Sequence, residues 1–254
     1  MGLRIQLCGA LSVEQGTALV GDRDFPGSQA RRFWAYLVLE RERPVGRDEL
    51  ADAVWGLDAP DAWQESLSAI ASRTRTALRA VPGVDLRGEV GRYRLALATE
   101  PVVDMERSWR SLLRAEAALR RDDATGALAE SLIARAIAQR GFLAGEEGPW
   151  IEGRRRALRH TLVQATELAV EAELRRRNFG DAERIARAVI NLDPLRESGY
   201  RLLMRALAAA GNGAQALRVM DECRAVLRAE VGAPPSAETE RVFREAAGLA
   251  RHNP

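Results

Sequence analysis

The sequence predicts a mainly α-helical protein with a small β component: a mixed N-terminal part, residues 1–99, followed by an all-α array over residues 100–254. Two observations predict this. Apolar residues alternate near the N-terminus and then recur at helical spacing, and from Val103 onward nearly every segment is rich in Ala, Leu, Arg and Glu. Asn178, Ala182, Ile185 and Ala186 also return 34 positions later as Asn212, Ala216, Val219 and Met220. That lag is the tetratricopeptide period, in which a small residue early in each helix permits close packing.

Each element follows from local pattern. Leu3-Arg4-Ile5-Gln6-Leu7 alternates as a half-buried strand does, and a second strand is expected over Val13 to Val20, punctuated by Gly16 and Gly21. A helix begins near Ser28, with Phe33, Leu37 and Val38 on one face, and ends near Glu42, ahead of Pro44. A second opens at Arg47-Asp48-Glu49-Leu50, buries Leu50, Val54 and Trp55, and stops at Gly56. The third runs from Ala62 to Ala80 and is ended by Pro82-Gly83. Two short strands within Val84 to Leu97, around Gly88-Glu89-Val90-Gly91, make a hairpin. Strands, three helices and a terminal hairpin describe a winged helix, the helix-turn-helix variant with a β-ribbon beside it. In the array, helices of 12–18 residues are expected between breaks at Gly126, Gly141 to Pro149, Asn178-Phe179-Gly180, Asp193-Pro194, Gly211-Asn212-Gly213 and Gly232 to Pro235.

Composition excludes several chemistries. All 38 basic side chains are arginine, so Schiff-base catalysis and a lysine phosphate cradle are ruled out. The two histidines, His160 and His252, are far apart, and Cys8 and Cys223 form neither a metal knuckle nor a disulfide framework. No catalytic residue, metal site or cofactor is therefore expected. No apolar run approaches the ~20 residues of a membrane span. Met1-Gly2-Leu3-Arg4-Ile5 carries no export pattern, and a reducing cytoplasm is the simplest compartment.

The third helix carries the functional signal. Leu67, Ile70, Ala71, Thr74 and Leu78 form one stripe. The opposite face presents Gln64, Glu65, Ser68, Ala69, Ser72, Arg73, Thr76 and Arg79, with Arg75 at its edge. Small polar side chains let such a helix enter a major groove about 12 Å wide, where arginines reach phosphates or guanine edges. An ordinary solvated helix face has the same pattern; position ahead of a hairpin bearing Arg87, Arg92, Tyr93 and Arg94 favours the groove-binding reading. Residues 68–95 hold six arginines against Asp85 and Glu89, whereas residues 1–100 hold 13 arginines against 14 acids. The positive footprint is thus a stripe, with modest non-specific affinity and a shallow salt dependence. The runs Arg154-Arg155-Arg156 with Arg159, and Arg175-Arg176-Arg177, read as solvated faces, and His160 as a surface side chain. Trp34, Trp55, Trp63, Trp109 and Trp150 read as packing anchors.

Gln29-Ala30-Arg31-Arg32-Phe33, Arg43-Pro44-Val45-Gly46-Arg47-Asp48-Glu49-Leu50 and Ala53-Val54-Trp55-Gly56 resemble the OmpR-like winged helix of antibiotic regulatory proteins of the SARP type. Ser72-Arg73-Thr74-Arg75-Thr76-Ala77-Leu78 is similar to that family's recognition helix, and Gly91-Arg92-Tyr93-Arg94-Leu95 to its wing. Asp193-Pro194-Leu195-Arg196-Glu197, Leu202 to Leu207 and Leu227 to Pro235 resemble its bacterial transcriptional activation domain, a tetratricopeptide-like array. The resemblance covers about residues 3–245 and implies an activator of secondary-metabolite genes. Its implied partners are promoter direct repeats in double-stranded DNA, RNA polymerase and a second copy of the chain. It implies Arg73 as the base contact with Ser68, Ala69 and Ser72 in the same groove, and Arg75 as a phosphate clamp. It places Arg47 and Trp55 against backbone phosphates and Arg92 in the minor groove. Glu65-Ser66, Thr74 and Thr76 depart from the family pattern; Glu65 suits a cytosine amino group or repels phosphate. The alternative reading is a helical-repeat adaptor whose winged helix has lost DNA affinity.

Overall fold

The structure, a computed structural model, describes residues 2–252. In chain order the elements are β1 (Arg4–Gln6), β2 (Ser12–Gln15), β3 (Ala18–Gly21), α1 (Ser28–Leu39), β4 (Val45–Gly46), α2 (Arg47–Trp55) and α3 (Trp63–Leu78). There follow β5 (Val84–Glu89), β6 (Arg92–Leu97), β7 (Val102–Val103), α4 (Asp104–Arg120), α5 (Ala124–Ala138) and α6 (Pro149–Arg175). The last four are α7 (Phe179–Leu192), α8 (Glu197–Ala209), α9 (Gly213–Val231) and α10 (Ala237–His252). The described residues form two compact units, residues 2–107 with 137–159, and residues 108–136 with 160–252.

In the first unit, one sheet has the order β3-β2-β1-β7, with β7 parallel to β1, and the other has the order β4-β6-β5. The single strand expected over Val13 to Val20 is instead a hairpin. Gln15 pairs with Ala18 across a two-residue turn, and Gly16 at φ +62° supplies the left-handed backbone that such turns require. The three helices follow the expected stripes except at Trp55, which is only half-buried at the end of α2. Phe33, Trp34, Leu37 and Val38 of α1, Leu50 and Val54 of α2, and Leu67, Ile70, Ala71, Thr74 and Leu78 of α3 are all buried. Tyr93 of β6 meets Phe33 edge-on at 5.5 Å, closing the core under the hairpin.

Thr74 is completely buried and its hydroxyl has no hydrogen-bond partner, so the core holds an uncompensated polar atom. Thr74→Val keeps the shape and removes that cost. It is expected to raise the unfolding free energy by about 1 kcal/mol. The check is a higher urea midpoint at unchanged m-value; an unchanged or lower midpoint contradicts it.

A cut between residues 99 and 100 does not coincide with the compact units, because later segments are bound into the first. Asp104 accepts hydrogen bonds from the backbone N–H groups of Leu7 (2.8 Å) and Cys8 (3.1 Å), and from Arg140 (3.1 Å). Leu143 N–H donates to Leu7 O at 2.9 Å, and the Trp150 ring lies between those of Tyr36 and Phe142 at 5.4 and 5.2 Å. The buried Glu146 carboxylate accepts from Arg31 Nε (2.8 Å) and Arg32 Nε (2.9 Å). Arg155, expected in a solvated run, instead donates to the carbonyls of Phe142, Leu143 and Glu146.

Glu49 of α2 shows how closely the helices are tied. It accepts both terminal nitrogens of Arg43 and the Tyr36 hydroxyl (2.7 Å). These partners, Arg43 first, hold its carboxyl at about 2, below the ordinary 4.5. A depressed carboxyl contributes stability that is complete above pH 4.5 and is lost as pH falls toward 2. Over that window the melting temperature of the wild type is expected to fall more steeply than that of Glu49→Gln. Parallel profiles would remove Glu49 from the acid transition.

The second unit repeats one motif. Asn178 and Asn212 cap α7 and α9, and each N–H donates five residues back, to Glu173 O (2.9 Å) and Leu207 O (2.8 Å). Ala182 and Ala216, four residues on, are fully buried. Asp123 makes the same bond to Ala118 O at 2.9 Å ahead of the buried Ala127, a third copy without the 34-residue spacing. The break expected at Gly126 therefore falls earlier: Gly126 N–H donates to Asp123 Oδ1 (2.8 Å) in the first turn of α5. Helix α6 runs unbroken between the expected breaks at Pro149 and Asn178 and, at 27 residues, exceeds the 12–18 expected. Arg175, Arg176 and Arg177 are exposed as expected, Arg175 also donating to Leu119 O and Asp122. Trp109 is no packing anchor, being 67% exposed on α4. A groove of about 430 Å³ is lined from α4, α6, α8 and α10, its charges paired as Glu171–Arg205, Arg201–Glu238 and Arg241–Glu245.

Candidate nucleic-acid interface

Burying the apolar stripe of α3 leaves its other face to solvent. Gln64, Glu65, Ser68, Ala69, Ser72, Arg73, Thr76 and Arg79 are all exposed. The Arg73 guanidinium makes one long bond, Nε to Ala69 O at 3.3 Å on its own helix, which leaves its terminal nitrogens directed outward from that bond. Thr76 and Ser68 hydroxyls donate back to Ser72 O (3.1 Å) and Gln64 O (2.9 Å). Both present little bulk; Thr76 Oγ1 keeps lone pairs as acceptors, and Ser68 Oγ, which accepts from Arg47, keeps one.

Beside the helix stands the β5–β6 hairpin, turning through Val90 and Gly91, where Gly91 has φ +72° and Val90 is fully exposed. Arg87 lies directly opposite Arg94, and Arg92 opposite Glu89. Like charges opposed across a ladder repel. Asp85, 2.8 Å from Arg87, relieves part of that repulsion, and an external anion would relieve the rest.

Not every candidate is turned outward. Arg75 is half-buried, with Nε donating to Leu86 O of β5 at 2.9 Å. Arg47 is half-buried too, donating to Gln64 O and to Ser68 Oγ (2.9 Å). Trp55 and Trp63 are half-buried at the end of α2 and the start of α3. The structure thus brings Glu65, Ser68, Ala69, Ser72, Arg73 and Arg79 onto one exposed face, with Arg92 on the neighbouring hairpin. It holds Arg47 and Arg75 between elements. Sequence reading missed the opposed Arg87 and Arg94 pair, which hairpin register alone reveals.

Among the described residues no cluster of His, Cys, Asp or Glu could hold a metal ion, and no helix is long and apolar enough to cross a membrane. Cys8 and Cys223 are buried and unpaired, and burial pushes both thiols up, away from the reactive thiolate.

The family model of the bacterial transcriptional activator domain matches residues 103–246. The transcriptional regulator RedD of Streptomyces coelicolor is 31% identical over 249 residues, 94% of this chain and 69% of RedD. The chain belongs to the SARP-type family of bacterial transcriptional activators. Two longer relatives agree with this membership. Regulatory protein AfsR of S. coelicolor is 32% identical over 209 residues, 82% of the SARP-type chain and 20% of AfsR. Its namesake in Streptomyces griseus is 31% identical over 257 residues, 98% of the chain and 25% of that protein. The SARP-type chain thus spans a fifth to a quarter of these two relatives. Its fold is shared by Mycobacterium tuberculosis EmbR, solved in complex with a low-affinity phosphopeptide. The TM-score is 0.84 at 22% identity, covering 99% of this chain and 66% of EmbR.

Proposed function

We propose that this SARP-type regulator activates transcription by binding promoter direct repeats through α3 and the β5–β6 hairpin, and by recruiting RNA polymerase. Its targets on this reading are secondary-metabolite genes, its compartment is the cytoplasm, and two copies occupy the two repeats. The observation that carries the reading is the exposed polar face of α3, with Arg73 and Arg79, beside a hairpin whose Arg87 and Arg94 oppose one another. A phosphate backbone turns that repulsion into attraction, while the small Ser68, Ala69 and Ser72 let the helix approach base edges. In this arrangement Arg73 contacts a base, Arg79 a phosphate and Arg92 the minor groove; Glu65 accepts from a cytosine amino group.

Salt titration of binding to a promoter fragment tests the reading. A few neutralised phosphates give a log–log slope of about −2 to −4. Binding that ignores salt, or none at all, would leave the helical array as a protein-interaction scaffold and the winged helix without a nucleic-acid role.

A further inference from the structure

Arg47 and Arg75 occupy positions that the family resemblance gives to phosphate contacts, yet each guanidinium donates to acceptors of the protein itself. Arg47 opens α2. Its Nη2 donates to Gln64 O and to Ser68 Oγ (2.9 Å) on the first turns of α3, and its backbone N–H donates to Gly91 O (3.2 Å) in the hairpin turn. Its guanidinium carbon also lies 5.9 Å from the centre of the Tyr93 ring on β6. Arg75, near the other end of α3, donates from Nε to Leu86 O (2.9 Å) of β5, the edge strand of its sheet. Its Nη2 lies 4.0 Å from where a side chain on Gly88 would begin, so the arginine runs along the hairpin.

The two arginines therefore tie α3 at both ends, one to the start of α2 and the hairpin turn, the other to the outer hairpin strand. We infer that Arg47 and Arg75 are positioning residues that set the angle between the recognition helix and the wing. Base contacts by Arg73 and wing contacts by Arg92 are then made together rather than separately. This rests on the DNA-binding reading above. The chemistry supports it: a guanidinium is a planar fork able to serve a carbonyl, a hydroxyl and a ring face at once, and these acceptors are neutral groups of the protein. A charge so engaged adds to the local field but displaces no counterion from a phosphate.

The experiment uses the full chain and its promoter fragment, with binding read by fluorescence anisotropy from low to high salt. Arg47→Met and Arg75→Met keep the packing stems and remove the forks. Each is expected to weaken binding about five- to twentyfold with a log–log line parallel to the wild type, whereas a lost phosphate contact lowers the slope by about one. A lowered slope for either variant overturns its assignment. The second measurement is a double-mutant cycle with Arg92→Ala, which a general loss of stability would leave additive. Arg92→Ala is expected to cost about tenfold in the wild type but less than about twofold beside Arg75→Met, with Arg75→Lys, which keeps a donor for the Leu86 carbonyl, restoring the difference. Equal costs in both backgrounds overturn the inference. Should a Met variant be unfolded at the assay temperature, the same cycle is run on it at a lower temperature at which it is folded, and equal costs of Arg92→Ala in both backgrounds again overturn the inference. Wild-type protein that binds without salt dependence defeats the DNA reading itself, an outcome distinct from the others.

Discussion

Glu146→Ala is expected to lower the unfolding free energy by about 3–5 kcal/mol, because it strands two guanidinium groups around a buried site. The Glu146 side chain is 2% exposed and bridges Arg31 and Arg32, neighbours on α1 whose side chains are themselves only 24% and 23% exposed. Arg32 retains its bond to Val54 O (3.0 Å), and Arg31 keeps Asp22 at 3.7 Å, so the loss belongs toward the lower end of that range. Replacing all three charged groups by apolar residues of similar volume should be far milder than the single change, since no unpaired charge is left behind. Urea denaturation of the three proteins measures both quantities. A single-variant loss below about 1 kcal/mol would mean that the arginines regain water, and that residues 141–149 do little to hold the first unit.

Arg73→Ala is expected to weaken specific operator binding by about 1–3 kcal/mol while leaving binding to scrambled DNA nearly unchanged. The side chain is exposed, engages only the Ala69 carbonyl of its own helix, and lies on the face lined with small residues. Truncation therefore removes a groove contact without opening the core. The check is the ratio of affinities for operator and scrambled duplex, measured at one salt concentration. A loss shared equally by both duplexes would make Arg73 a phosphate contact and leave base reading to Ser68, Ser72 or Glu65.

Much of this architecture is legible in local pattern. The stripe Leu67, Ile70, Ala71, Thr74 and Leu78 is the set that α3 buries, because a helix repeats its faces every 3.6 residues whatever lies against them. The 34-residue recurrence of Asn178 and Asn212 survives as two equivalent helix starts, because a backbone N–H that closes the preceding helix and a small side chain four residues later are short-range devices. The Val13 to Val20 stretch was less legible. A single strand would put Val13 and Val20, seven apart, on opposite faces, whereas the hairpin held on β1 pairs the two and buries both.

By itself, then, the sequence determined the helix faces, the hairpin, the family and the exposure of Arg73. Only the tertiary structure decided which other arginines face solvent. Arg47, Arg75 and Arg155 look like their neighbours in sequence, yet their partners are Gln64, Leu86 and Phe142, from 11 to 17 residues away. It also returned residues 137–159 to the first unit, through Glu146 and Arg31, 115 positions apart. The physical reason is common to these cases. Periodicity reports which side of an element avoids water, but a hydrogen bond to a particular carbonyl or carboxylate depends on what the fold carries to that spot.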